Sequence, residues 1–311
     1  MVEVSIKLKQ IEPLPMVKLT VMVLLLSSCG TDTVESDEQT DPVLVEYPVV
    51  FIERDVNTSI EEDIVAQTTF SARNPILFNP GAQLIVKNNA FADSPSTNIS
   101  AQLFSSNESE VATEDERIDI RDLSVSDDGQ QFLISIRAPE IENVDEQPTW
   151  NIWRYQLATK QLERLIISDN TAEQGDDLMA SFLPDGRIIF ASTRQRLSRA
   201  ILLDEGKPQY TARNERGDDA ALNLHVMNAD GSNIRQVTFN MSHDFYPLVL
   251  QDGRILYSRW DTMGGNDKIN LYTMNPDGTD SQLVYGWHSH QLMIDGDNAN
   301  IEFVKPQQLP N

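Results

Sequence analysis

Two histidines lie at matching distances from a repeated turn, and an imidazole is a side chain that can bind a metal ion. His243 follows the turn glycine Gly231 by 12 residues, and His290 follows Gly278 by the same 12 residues. Each histidine therefore occupies the same place in its own structural unit, and Asp244 comes directly after the first of them. Such residues could gather a ligand or metal on one common face, or each ring could bond the backbone of the neighbouring unit. The second interpretation is favoured.

Charged residues at strand ends extend this candidate face. Arg259 and Asp261 flank a tryptophan at the end of one strand, and His288 lies two positions before His290. An Arg-Gln-Arg run at 194–196 ends the equivalent strand one unit earlier. An arginine–aspartate pair at such a place either lines a channel or locks two units together. The pattern predicts a polar rim that could bind a ligand or a metal, rather than a catalytic centre.

The remaining motifs assign no chemistry to the chain. His225 lies between two apolar residues of a strand, which favours a structural role. Residues 295–300 have oxygen ligands at alternate positions, as in a calcium loop, but lack the glycine at position six and a closing glutamate in the right place, so an ordinary hairpin turn is favoured. The single cysteine excludes a C-x-x-C-H haem attachment, and no G-x-S-x-G, phosphate-loop or H-E-x-x-H motif is present. The sequence therefore predicts no catalytic residue and no cofactor, and leaves metal binding open.

The elements that must position these residues repeat along the chain. Asp-Gly pairs at 230–231 and 277–278 are 47 residues apart, and each follows a similar strand, NLHVMNADG and NLYTMNPDG. Three further Asp-Gly pairs occur at 128–129, 185–186 and 252–253. β-Branched and aromatic residues come after them, and Asp-Gly itself predicts a type I′ hairpin. A repeated antiparallel unit of this period is typical of a β-propeller.

The repeats set the domain boundaries. They predict an all-β fold, a β-propeller domain over residues 48–311, with about three blades after residue 118 and three to five in total. Residues 194–220 interrupt the repeat as a polar insertion on one blade, and little helix is expected. Because the last residues lead towards a further turn and stop, we expect a partial propeller that is incomplete at its C-terminus.

The N-terminus has the composition of an export signal. Residues 1–28 contain three lysines, a short apolar run and small residues, which predicts a signal peptide with Met16 as the better start. The run Leu26–Cys29 (LSSC) resembles the lipobox of bacterial lipoproteins, whose cysteine receives a diacylglycerol. The resemblance implies that Cys29 anchors the protein in a membrane. Residues 29–47 are polar and acidic, which predicts a flexible tether.

Charge and the residue after the cysteine bear on partners and location. The chain carries 48 acidic and 24 basic residues, for a formal net charge of −24. This balance excludes nucleic acid as a partner, because nucleic-acid binding depends on a basic surface. Gly30 stands where inner-membrane lipoproteins usually have aspartate, so the resemblance implies an outer-membrane anchor facing the periplasm. A periplasmic protein or a small ligand is the expected partner.

The repeats also resemble a known family. LPDGRIIFASTR, LHVMNADGSNIRQVTF and DGRILYSRWD are similar to the WD40-like propeller repeats of the TolB type, and in particular to the propeller domain of the hydrazine synthase alpha subunit family. The likeness covers residues 118–290 and implies the fold. Hydrazine synthesis is not implied, because the cysteine pair for haem is absent. Two functions follow: a membrane-tethered, non-catalytic binding or scaffold module, or the propeller portion of a larger haem-containing or hydrolytic enzyme.

Overall fold

The computed structural model describes most of the chain from residue 47 onward. The described residues are 3–4, 47–54, 73–101, 103–104, 117–208, 210–214, 217, 220–262, 267–294 and 297–308. Cys29 lies outside them, as do the rest of the predicted signal peptide beyond residues 3–4 and the predicted tether up to residue 46.

Four antiparallel, four-stranded sheets account for most of the described residues. The first sheet contains β1 (Glu3–Val4), β2 (Val49–Arg54), β3 (Ala82–Lys87) and β4 (Ser96–Asn98). The second contains β5 (Asp119–Val125), β6 (Gln131–Arg137), β7 (Trp150–Gln156) and β8 (Gln161–Arg164). The third contains β9 (Asp177–Phe182), β10 (Ile188–Ser192), β11 (Asn223–Met227) and β12 (Arg235–Gln236). The fourth contains β13 (Asp244–Val249), β14 (Ile255–Asp261), β15 (Lys268–Met274) and β16 (Gln282–Tyr285).

Each sheet is one blade of a β-propeller. The strands of a blade follow one another in sequence order, and at the centre the first strand β9 contacts both β5 and β13, the first strands of the neighbouring blades. The fold is therefore all-β, as the repeats predicted. After the fourth blade, β17 (Gln291–Ile294) and β18 (Asp297–Asn300) form a hairpin in which Ile294 pairs with Asp297. The residues of the calcium-like turn between them, 295 and 296, lie outside the described part of the chain.

The Asp-Gly turns are not type I′. A type I′ turn needs positive φ at both central residues. At each of these turns only the glycine has positive φ, for example +78° at Gly231, and the preceding aspartate does not. The Gly231 N–H donates to the carbonyl of Asn228, and Asn228 N–H donates to Ser232, which fits a type I turn followed by a bulged glycine. The aspartate is selected because its carboxylate accepts the N–H two residues later, as Asp230 does from Ser232 at 3.0 Å.

The blades pack face to face through alternating side chains. On β6, Phe132 and Ile134 join the apolar cluster with the first blade, whereas Leu133 joins the cluster with the third. On β10, Phe190 faces the second blade and Ile189 faces the fourth. Because both faces are covered, these strands are apolar at nearly every position, and the core consists of three clusters between adjacent blades.

A bulge bends the innermost strand of three blades at the same place. Asp122, Met179 and Tyr246 have φ of 61°, 58° and 53°, and each precedes its turn glycine by seven residues. The strand register shifts at each of these positions. At the centre of the propeller, the bulges change the direction in which these three side chains point.

Two helices were not expected from the apolar pattern. α1 (Asp169–Ala172) follows the second blade, and α2 (Arg196–Asp204) lies in the insertion and contacts β12. Gln195 closes the insertion at its base: its side-chain amide donates to the Ala221 carbonyl at 2.6 Å and accepts the N–H of Ala212 at 3.0 Å. No helix among the described residues is long and apolar enough to cross a membrane.

Candidate functional site

His243 joins its blade to the preceding one. Its Nδ1 accepts a hydrogen bond from the backbone N–H of Leu222, 2.9 Å away, just ahead of the third strand of the third blade. Asp119 and Asp176 occupy the same station in the second and third blades, where they accept backbone N–H groups of the preceding blade at 2.8 and 3.1 Å. For His243, the sequence favoured such a hydrogen bond to the backbone of the neighbouring unit.

Asp244 and Arg259 form a buried ion pair within the fourth blade. Arg259 donates to both carboxylate oxygens of Asp244, at 2.7 and 2.8 Å, and the Asp244 side chain is completely buried. The guanidinium also lies 4.8 Å from the ring centroid of Tyr272, whose hydroxyl donates to Asp261 at 3.0 Å. Burial, together with the Asp261 carboxylate, raises the pKa of Tyr272 to about 12, so this hydroxyl keeps its proton at neutral pH.

The same network continues to His290. The Asn270 amide donates to Asp261 at 2.7 Å, and its carbonyl oxygen lies 2.8 Å from Nε2 of His290. Nδ1 of His290 donates to the Ile301 carbonyl at 2.7 Å. Both ring nitrogens thus have polar partners, and the ring ties the segment after the fourth blade to β15.

Four of the six predicted residues therefore belong to one network, namely Asp244, Arg259, Asp261 and His290. His243 precedes Asp244 and links to the blade before it, whereas His288 is exposed and lies apart. Within the described residues, no three histidine, cysteine, aspartate or glutamate side chains come together in a way that could hold a metal ion.

A second charged cluster lies at the centre of the propeller. The Arg121 guanidinium is 3.1 Å from the buried carboxylate of Asp122 and donates to the Tyr246 hydroxyl at 3.3 Å. Lys305, in the segment after the hairpin, lies 3.8 Å from Asp122 and 5.1 Å from the Tyr246 ring. These contacts join the inner strands of the second and fourth blades to the last described segment, so the cluster supports the fold.

A cleft of about 660 Å³ opens between the second and third blades. Its walls are residues 165–168 after β8, the two helices, and the outer hairpin of the third blade at 230–236. Gly231 lets that hairpin approach the second blade, because a Cβ there would lie 2.3 Å from the Leu165 carbonyl oxygen. The insertion and the hairpin together thus form a site that no single repeat contains.

Arginines dominate the charge of this cleft. Arg194, Arg196 and Arg235 line it, against one carboxylate, Asp230. Arg194 is buried and paired with Asp177, whose pKa burial raises to about 6 although the arginine opposes the shift. Arg196 is exposed and makes no side-chain hydrogen bond or ion pair within the described part of the chain. Arg235 pairs with Val226, whose side chain faces the fourth blade, so the Arg235 guanidinium lies on that face, where its charge helps to lower the pKa of Asp277. Of these two arginines, only Arg196 therefore offers its guanidinium to a ligand in the cleft.

His225 lies at the cleft with one nitrogen unused. Its Nδ1 is 2.8 Å from the carbonyl oxygen of Asn223 in the same strand, and its side chain is 1 % exposed. Burial lowers the pKa of His225 to about 3, so the ring is neutral at physiological pH. Its Nε2 is buried and has no hydrogen-bond partner among the described residues.

The sequence pointed to part of this cleft. The run 194–196 suggested a polar rim, and His225 was interpreted as structural. An arginine at the start of an insertion in an acidic chain was the only sequence signal that could have directed attention here.

The fold and the cleft define a propeller-type, all-β protein, and comparison with solved structures agrees. The chain is similar to hydrazine synthase of Kuenenia stuttgartiensis, with 14 % identity and a TM-score of 0.53 over 82 % of this chain and 35 % of that one. It thus spans about a third of the hydrazine synthase chain. No protein-family model and no curated protein sequence matches the chain.

Two further structures are similar at lower scores. A TolB structure from Agrobacterium tumefaciens aligns with 13 % identity and a TM-score of 0.34, over 68 % of this chain and 81 % of that one. An oligogalacturonate lyase from Vibrio parahaemolyticus aligns with 13 % identity and a TM-score of 0.37, over 65 % and 47 %. Likeness at these identities concerns the fold, and the function must be argued from the site.

Proposed function

We propose that the protein is a non-catalytic propeller module of the cell envelope, lipid-anchored through Cys29, that binds a small anionic ligand between its second and third blades. One observation carries the ligand class: the exposed Arg196, which has no ion-pair partner among the described residues, lines a cleft in a chain with twice as many acidic as basic residues. The net charge of −24 repels anions in general. At the cleft, Arg196 supplies a positive charge that can attract one.

Size and chemistry support this assignment. Small-molecule sites commonly have volumes of roughly 300–1,000 Å³, and the cleft of about 660 Å³ lies within that range. A guanidinium offers a planar pair of N–H donors that fits a carboxylate, and such charge-assisted bonds are stronger than neutral ones. The hydroxyl-bearing residues Ser168, Thr171 and Ser232 add polar groups to the wall. An anion with two or more carboxylates matches this set.

Titration calorimetry with tricarballylate, a tricarboxylate without a hydroxyl, tests the proposal. We expect Arg196→Ala to weaken binding about tenfold, since it removes a charge-assisted contact. Arg199→Ala is the matched control, because Arg199 is an exposed residue of the same helix α2 that does not line the cleft. Its affinity should equal that of the wild type. No binding by the wild type at up to about 10 mM, or an equal loss in Arg199→Ala, would contradict the proposal.

The anchor is tested separately by Cys29→Ser in a Gram-negative host. Lipidation of one cysteine converts an exported soluble protein into a membrane-bound one, because acyl chains partition into the bilayer. We expect the wild type in the membrane fraction, with a palmitate label, and the variant in the soluble periplasmic fraction without label. Wild-type protein that is soluble and unlabelled would refute the anchor and leave the cleft unaffected.

A further inference from the structure

We infer that the ligand of the cleft between the second and third blades carries a hydroxyl group as well as its negative charge, and that Nε2 of His225 accepts the hydrogen bond of that hydroxyl. The inference rests on the proposed function and names the ligand more closely, as a hydroxylated polycarboxylate. It depends on three features of His225: its tautomer, its unused nitrogen and the charges around it.

The backbone fixes the tautomer of His225. Nδ1 lies 2.8 Å from the carbonyl oxygen of Asn223, and a carbonyl oxygen can only accept. Nδ1 therefore carries the proton and donates. The neutral ring then presents Nε2 as a lone pair, so this nitrogen can accept a hydrogen bond and cannot donate one.

The unused acceptor is unusual for a buried group. Most buried polar atoms have a hydrogen-bond partner, because burial without one removes the bond to water and gives nothing in return. Nε2 has none among the described residues, and less than 1 Å² of it is accessible. The ring also lines the cleft, beside the Phe190 ring at 5.7 Å. A ligand donor that enters with a rotamer change of a lining side chain would satisfy this nitrogen.

The charges around the cleft select the kind of donor. An ammonium group or a metal cation would be repelled by Arg196 and by Arg194, whose charge already acts on the His225 ring, and Asp230 is the one carboxylate among the residues that line the cleft. The Asp230 carboxylate already accepts hydrogen bonds from the N–H and the hydroxyl of Ser232, at 3.0 and 2.6 Å. A hydroxyl donates a hydrogen bond without adding positive charge, so it fits a site whose other groups bind an anion.

Citrate and tricarballylate provide the matched probes, because they share three carboxylates and differ by one hydroxyl. We expect the wild type to bind citrate about tenfold more tightly than tricarballylate by titration calorimetry. His225→Phe keeps the ring shape and removes the acceptor, so it should bind both probes with the wild-type affinity for tricarballylate. His225→Gln, whose amide oxygen can accept, should retain part of the preference and serves as a second variant if the first does not fold.

The outcomes separate the two proposals. Equal affinity of the wild type for both probes, or an unchanged preference in folded His225→Phe and His225→Gln, would overturn the hydroxyl assignment while the anion site stands. Absence of binding to either probe would overturn the anion site itself. Thermal melts of each variant establish that a lost preference is not a lost fold.

Discussion

Replacing Arg259 with methionine should lower the free energy of unfolding by about 3–5 kcal/mol, the usual cost of leaving one charge of a buried pair alone. The Asp244 carboxylate is fully buried, and Arg259 supplies two of its hydrogen bonds, at 2.7 and 2.8 Å. In the variant, the Asn240 amide, 3.2 Å away, is the only side chain among the described residues that still donates to it. Denaturant unfolding followed by tryptophan fluorescence measures the loss.

Arg254→Met is the control for this prediction. Arg254 pairs with Asp280 at 2.7 Å on the same blade, but both side chains are partly exposed, at 27 % and 46 %. Exposed pairs contribute only about 0–1 kcal/mol, so this variant should lose about 1 kcal/mol or less. In the Arg259→Met background, Asp244→Asn should restore part of the stability by removing the unpaired charge. A loss in Arg259→Met no larger than in Arg254→Met would show that the pair does not stabilise the blade.

Gly278→Ala should be the second severe change, with an expected loss of about 3 kcal/mol from backbone strain and steric overlap together. Gly278 has a φ of +89°, and a Cβ there would lie 2.1 Å from the carbonyl oxygen of Val237. Val237 follows the outer strand of the third blade, so the added methyl group would push two blades apart. The backbone carbonyl cannot move aside as a flexible side chain would.

Gly253→Ala isolates the conformational part of that effect. Gly253 has a φ of +83° in a turn of the same kind, but a Cβ there meets nothing within 4 Å. The left-handed conformation alone costs about 1–2 kcal/mol for alanine. Thermal unfolding should therefore rank the wild type first, Gly253→Ala second and Gly278→Ala last. Equal melting temperatures for the two variants would mean that the contact between Gly278 and Val237 does not hold the blades at this distance.

The sequence predicted the blades well because their signals are local. Turn chemistry and alternation of side chains act within a few residues, so the Asp-Gly pairs and the strands after them were sufficient to predict an all-β propeller. The turn type was wrong for a physical reason. The aspartate was expected to supply positive φ, whereas Asp230 instead accepts a hydrogen bond from the N–H of Ser232.

The sequence identified several residues of the charged network, but not the contacts that each of them makes. Equal spacing placed His243 and His290 at one station of successive blades. His243 lies directly before the first strand of the fourth blade, whereas His290 lies directly before the two-stranded hairpin β17–β18. Spacing does not reveal which group each ring contacts. In the structure, His243 contacts Leu222 and His290 contacts Asn270. The helix α2 was missed because it has only nine residues, fewer than the roughly 11–18 residues over which helical periodicity can be recognised in a sequence.

Sequence alone determined the repeating unit, the absence of a covalent haem motif and the acidic character of the chain, and it predicts the lipid anchor at Cys29. Tertiary structure alone decided the cleft. Arg196 belongs to α2 and His225 to β11, and both line one cleft only because the insertion folds against β12 and β11 presents alternate side chains to the second blade. A repeat is encoded within each unit, whereas a site between units depends on how two units pack, which no local pattern contains.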